Sequence, residues 1–238
     1  MECGVIPHGI NFFPWLVTVV PVGFFGLPLH RGCGGSFISN QHVITATHCI
    51  QEVDSTYYVI YNGHAYEAEV IAIAPNYDAD HISCGHTDMA ILRLKKVPDT
   101  RVIPICLPSN WTDDMVLNDN ILTMASFRGG YHKKSIPVMD GEAKYCHDKY
   151  EPRKKRKVNE IFSLNYLCSE HMTMKGDSGS PLMRKINEDI WTLIAIVIGS
   201  RYFEDVYTEK GTLLRYGIYH TIFPRLSWVL ETVEKQLS

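Results

Sequence analysis

No two cysteines in this chain stand in a C-x-x-C arrangement. That excludes zinc ribbons and thioredoxin-like redox motifs, which are built on such pairs. Charge of one sign is lacking too. The 23 Lys and Arg stand against 26 Asp and Glu, a formal net charge of −3. Nothing global steers the chain toward nucleic acid or an anionic membrane, and neither is expected as a partner. There is no internal repeat and no long low-complexity linker, so a repeat array has no footing. The start, "MECGV", lacks the basic region and apolar run of a signal peptide. A secreted form is therefore expected to carry residues upstream of it. Residues 10–29, "INFFPWLVTVVPVGFFGLPL", are apolar and uncharged, which raises a membrane helix. Pro14, Pro21 and Pro28, with Gly23 and Gly26, interrupt the run too often for one helix, and strand-turn-strand is the better reading.

What is present suits a sizeable globular body. The 238 residues, 45% of them hydrophobic, can bury a substantial core as one domain or two fused halves. Seven cysteines is an odd number, so at least one stays unpaired or pairs outside the chain. Their wide spacing suits a few long-range disulfides in a secreted, extracellular protein. The single sequon Asn110-Trp111-Thr112 offers a glycosylation site that agrees with that compartment.

Short runs rich in Val, Ile, Thr and Tyr dominate: "WLVTVV", "HVITA", "TYYVIY", "AYEAEVIAIA", "MAILRL", "ILTMAS" and "WTLIAIVIG". Helical periodicity is clear only at the end, where Leu226, Val229, Leu230, Val233 and Leu237 share a face after Pro224. An all-β barrel or sandwich closed by a C-terminal helix follows. The basic run "RKKRK", Arg153 to Lys157, reads as a solvated surface loop, or else as a nuclear signal or polyanion patch. A nuclear address would conflict with the cysteine pattern.

Three segments carry chemistry: "GCGGSFISNQHVITATHC" (32–49), "HTDMAILRL" (86–94) and "KGDSGSPL" (175–182). Each supplies one polar residue of a triad, His48, Asp88 and Ser178. A serine hydroxyl attacks at neutral pH only beside a base. Histidine suits that task, and a buried carboxylate fixes its tautomer. Glycines around Ser178 let the backbone turn tightly and present amides to a developing oxyanion. Taken singly, His48 reads as a core histidine, Asp88 as a turn cap, and Gly176 to Gly179 as an ordinary turn. Together they form a set in the chain order His, Asp, Ser. That order differs from those of α/β-hydrolases and subtilisins.

On "GGSFIS", "VITATHC", "DMAILRL", "VIPICLP", "GDSGSPL" and "YGIY", the chain resembles the trypsin/chymotrypsin-type serine peptidases, from about residue 3 to 236. The resemblance implies two six-stranded antiparallel β-barrels with the triad between them, spanning 14–115 and 116–223, then a helix over 224–237. It implies a serine endopeptidase acting on proteins or peptides, with no metal or organic cofactor. His48 would be the general base, Asp88 its orienter and Ser178 the nucleophile, with the Gly176 and Ser178 amides as oxyanion hole. Disulfides Cys33–Cys49, Cys146–Cys168 and Cys3–Cys106 are implied as well. Cys84 is left over, as a free thiol or an intermolecular bridge.

Departures from that pattern set further expectations. Met174 stands where the family usually has a cysteine, whose partner is missing too, so one wall of the substrate pocket would be looser. The pocket would be lined by Met172, Ile198, Gly199 and Gly217. Met172 lies at its base, where trypsin-like enzymes hold an acid, and this favours apolar side chains. A shift of register would bring His171 or Glu170 there instead. "IAIVIG" replaces the usual Ser-Trp-Gly edge, which removes the hydroxyl that normally supports the aspartate. Ser180 replaces a glycine. Finally, "CGVIPHGINFFPW" holds no Lys or Arg at which the family is usually cut to release an amine for the residue matching Asp177. Either an internal group satisfies Asp177, or the oxyanion loop is not well formed. In the latter case the chain would be a catalytically weak or inactive homologue acting as a binding or regulatory protein.

Overall fold

The computed structural model describes residues 2–22, 32–50, 53, 55–75, 87–108, 121–140, 166–185, 190–207 and 213–235. Thirteen strands lie among them. The first six are β1 (Leu16–Pro21), β2 (Cys33–Phe37), β3 (His42–Thr45), β4 (Tyr57–Tyr61), β5 (His64–Ile73) and β6 (Ala90–Leu94). They close into an antiparallel barrel in the order β1-β2-β3-β6-β5-β4. β4 shows why: Tyr57, Val59 and Tyr61 are buried while Tyr58 and Ile60 between them are half-buried. Asn62 and Gly63, both at positive φ (49° and 78°), join β4 to β5 with Tyr61 opposite His64. A two-residue Asn-Gly turn of that kind matches the twist of its strands.

The second half holds β7 (Ile121–Ser126), β8 (His132–Pro137), β9 (Met139–Asp140), β10 (Tyr166–Ser169), β11 (Pro181–Lys185), β12 (Trp191–Tyr207) and β13 (Leu213–Thr221). Their order is β8-β7-β11-β12-β13-β10-β9. Only Val138 separates β8 from β9, so the two outer strands are one bent strand and the sheet wraps into a second barrel of six. Helix α1 (Leu226–Lys235) follows a 3-10 turn, Phe223–Arg225, that contains Pro224.

A shared core joins the halves. Trp15, Phe37, Tyr57 and Ile91 of the first barrel cluster with Ala125, Met183, Leu193 and Ile196 of the second and with Val229 of α1. Trp15 Nε1 donates to Met183 Sδ across the seam (3.0 Å), and Phe13 packs edge-on against Trp191 at 4.8 Å. Burying Trp15 completely contributes on the order of 2–3 kcal/mol of transfer free energy.

β2, β8, β10, β11 and β13 are not among the runs picked out above. "CGGSF" and "HKKSIP" carry glycines, lysines and a proline that score poorly as strand, and their ladders exist only because neighbours pair with them. The expected helical face is also corrected at one place. Val229 is buried, and Leu226 and Val233 pack on the core, but Leu230 is 42% exposed. The helix begins at Leu226 rather than 224, and Leu237 lies outside the described residues.

One buried histidine carries a testable pH effect. His42 on β3 is fully buried, with Nδ1 bonded to Ser39 Oγ at 2.7 Å. Burial, aided by the nearby Arg93 charge, lowers its pKa from the ordinary 6.5. Its protonation therefore opposes folding. The full stability is present above pH 6.5 and falls as the pH drops below it, because the unfolded chain takes up the proton first. Thermal unfolding at pH 5 and pH 7.5 checks this: His42→Leu is expected to show a smaller drop in Tm between the two than wild type.

Candidate active site

The pairing of β3 with β6 assembles the first half of the site. Thr45 lies opposite Ala90 in an antiparallel ladder, so the chain leaving β3 and the chain arriving at β6 meet at the same barrel end. His48 sits there in a 3-10 turn, Thr47–Cys49, and Asp88 two residues before β6. Asp88 is 3% exposed and accepts two bonds from His48: the backbone amide on Oδ1 (2.9 Å) and Nδ1 on Oδ2 (2.6 Å). That arrangement places the ring proton on Nδ1 and leaves Nε2 as the basic nitrogen. Among the described residues no other group donates to Asp88, and Ile198 supplies no hydroxyl to it. Arg225 fixes the neighbouring residue, its Nε donating to Thr87 Oγ1 at 3.0 Å.

Ser178 lies in the turn that leads from β10 to β11, stitched to both barrels. Its carbonyl accepts from Gly34 N of β2 (2.7 Å), and Gly179 N donates to Val197 O of β12 (2.7 Å). Gly179 has φ +77°, and a Cβ there would meet Thr45 Oγ1 at 2.2 Å and Gly34 O at 2.3 Å, so only glycine fits. Gly176 has φ +97°. Among the described residues neither the Gly176 nor the Ser178 amide donates to a protein acceptor, whereas Asp177 N between them donates to Met174 O at 2.9 Å. The Ser178 hydroxyl donates to the Ile198 carbonyl at 3.4 Å.

Asp177 points inward, 2% exposed. Ser126 Oγ donates to Oδ1 (2.9 Å), the Met174 amide donates to Oδ2 (2.9 Å), and Arg128 Nε lies 3.4 Å from Oδ1. Ser126 closes the run "ILTMAS" of β7, and Arg128 follows it in "FRGG", a stretch that matches no motif named above.

The model of the trypsin family matches residues 7–229. The chain belongs to the trypsin family. Relatives include bovine coagulation factor XI, 28% identical over 244 residues covering 93% of this chain and 36% of the relative. The mosquito Anopheles gambiae has a CLIP domain-containing serine protease B15, 29% identical over 236 residues, 84% of this chain and 61% of the relative. Clotting factor C of the horseshoe crab Tachypleus tridentatus is 27% identical over 235 residues, 84% of this chain and 22% of the relative. The chain thus spans less than two thirds of the length of each of these relatives.

The loop before Ser178 is tied directly to β12. Ser200 Oγ lies 2.7 Å from Thr173 Oγ1, accepts from Thr173 N (2.9 Å) and donates to Thr173 O (3.0 Å). Hydroxyls thus link segments that were expected to be looser without a disulfide. Of the expected lining residues, Met172 is half-buried in the loop before Ser178 and Ile198 is 6% exposed. Gly199 and Gly217 lie on the paired strands β12 and β13. Tyr219 Oη bonds Ser169 Oγ at 2.7 Å, and burial pushes the phenol above its ordinary pKa. His171 is half-buried, and its pKa is lowered by burial and by Lys134, opposed in part by Asp177. Glu170 is exposed.

Cys33–Cys49 and Cys3–Cys106 are bonded, the first closing the loop that carries His48. Cys33, His48 and Cys49 bring three potential metal-ligand atoms within 4.8 Å, but the disulfide consumes both thiols. Cys168 is buried on β10. Cys146, Cys84, Asn110 and the "RKKRK" run lie outside the described residues. No helix among the described residues is long and apolar enough to cross a membrane.

Proposed function

We propose that this chain is a serine endopeptidase that hydrolyses protein or peptide substrates through an acyl-enzyme on Ser178. What supports the reading is the His48–Asp88 pair, with both carboxylate oxygens engaged, together with the glycine turn around Ser178, whose Gly179 packs against Thr45 at the end of β3. In the first step the Ser178 hydroxyl turns from the Ile198 carbonyl toward His48 and gives its proton to Nε2. Oγ bonds to the scissile carbonyl carbon, and the oxygen, now negative, receives the Gly176 and Ser178 amides. The imidazolium returns the proton to the leaving amine as the C–N bond breaks. Water then repeats the sequence on the ester, releasing the acid and restoring Ser178. Asp88 keeps its charge throughout and stabilises the imidazolium. These side chains and amides account for every proton moved.

The test is labelling by a biotinylated organophosphonate. Wild type is expected to carry the label on Ser178 by peptide mapping. An unlabelled wild type beside a reactive control protease would favour the regulatory homologue instead.

The tie between Thr173 and Ser200 supports a narrow preference at the residue N-terminal to the cut bond. On this reading the Thr173 and Ser200 hydroxyls lie across the slot for that residue and leave more room for a small apolar side chain than for a large one. Ser200→Gly is expected to raise the kcat/KM ratio of a Phe over an Ala peptide by about tenfold or more. An unchanged ratio would remove Ser200 from the specificity pocket.

Two disulfides and the Asn110 sequon support an extracellular setting, with the Cys146–Cys168 bridge and an intermolecular bond through Cys84 as further members of the set. Non-reducing peptide mapping of native protein would decide each pairing.

A further inference from the structure

Asp177 is a buried carboxylate one residue from the nucleophile, and such a charge needs a countercharge. Among the described residues the only cation at ion-pair distance is Arg128, its Nε 3.4 Å from Oδ1. Arg128 is itself largely buried, its side chain 21% exposed. The same side chain touches the rest of the loop. Its Nη1 lies 2.5 Å from Met174 Sδ, and its stem covers Gly176, where an added Cβ would sit 3.1 Å from Arg128 Cγ. His132 Nε2 lies 3.0 Å from the Arg128 carbonyl oxygen and braces the backbone that presents it. Residues 2–4 are held elsewhere. Glu2 pairs with Arg101 (2.9 Å), Cys3 is bonded to Cys106, and Gly4 N donates to Pro104 O (2.8 Å).

We propose that Arg128 is the positioning residue of this site. From the β7–β8 turn its guanidinium holds Asp177, and its stem holds Gly176, so that the Gly176 and Ser178 amides stay where an oxyanion would be received. The cation is an internal side chain, so holding Asp177 in this way involves no chain end. Arg128 Nε is near the carboxylate without being aligned for a hydrogen bond to it. Its contribution is then charge and packing more than a directed fork, and lysine should replace it in part. The structural side of this inference stands apart from the nucleophile reading, while its kinetic side rests on it.

The experiment compares full-length wild type, Arg128→Met and Arg128→Lys in two measurements. Hydrogen exchange reads the Asp177 and Gly179 amides, bonded to Met174 O and Val197 O, against the core amide of Leu193. In Arg128→Met the loop amides are expected to exchange about tenfold faster or more with Leu193 unchanged, as local opening does. Arg128→Lys should restore most of the protection. Organophosphonate labelling should slow about 100-fold in Arg128→Met, as when one oxyanion donor is lost. Labelling of the lysine variant should stay within tenfold of wild type, and the labelled wild type should have the mass of the uncut chain. The proposal is overturned if Arg128→Met keeps wild-type exchange, if protection is lost equally at Leu193, or if only a cut chain takes the label. Wild type that never labels, with a loop that still loosens in Arg128→Met, would sink the peptidase reading and leave the positioning role standing.

Discussion

Ser178→Ala is expected to reduce peptide hydrolysis by about a million-fold, the scale on which loss of a serine nucleophile acts in an unrelated protease fold. The substitution removes the only atom that forms the acyl bond. The oxyanion amides and the substrate contacts remain, so a small residue of activity over water should persist. Folding should be nearly untouched. Ser178 is half-buried, and its hydroxyl makes one long bond to the Ile198 carbonyl at 3.4 Å, worth at most about 1 kcal/mol. The pair of measurements is kcat on a mixed peptide pool and Tm. Wild-type kcat in Ser178→Ala would assign the hydrolysis to another nucleophile or to a contaminant.

Asp88→Asn should cost about 10⁴-fold in kcat, near the value for removing the orienting aspartate in that same unrelated fold. The loss follows from who donates to whom. The His48 amide donates to Oδ1 and His48 Nδ1 to Oδ2, so both positions demand an acceptor. Asparagine has one acceptor and one NH₂. The backbone amide cannot give up its proton, so it claims the asparagine oxygen, and the NH₂ is left facing Nδ1. The ring then accepts at Nδ1 and carries its proton on Nε2, where it cannot take one from Ser178. Nitrogen-15 NMR of His48 is expected to report protonated Nε2 in the variant and protonated Nδ1 in wild type. A variant with wild-type tautomer and wild-type kcat would remove Asp88 from the triad. Because no hydroxyl reaches Asp88 from Ile198, the tautomer here depends on these two bonds alone among the described residues.

The candidate triad was legible because each member sits in a local pattern that survives without tertiary knowledge. An apolar strand runs into His48, another leaves Asp88, and glycines bracket Ser178. Strands such as "HVITA" and "MAILRL" were legible for the same reason, since a buried strand shows as a β-branched run. β2 and β8 were not, because glycine, lysine and proline tell nothing of a ladder that neighbours impose. Leu230 obeyed the helical period and still faces solvent, since the core covers only the side of α1 around Val229.

By itself, the sequence determined the family resemblance, the order of the His, Asp and Ser segments, the two barrel halves, and the question of what satisfies Asp177. The tertiary structure decided the answer. Arg128 and Ser126 stand about fifty positions from Asp177 in the chain, and Thr173 is as remote from Ser200 in kind, 27 positions apart. Arginine, serine and threonine occur on every protein surface, so none of them announces a partner. Only the wrapping of β7 and β12 against the loop before β11 brings each within reach of its own, and charge and hydrogen bonding gain their strength from the burial that this wrapping creates.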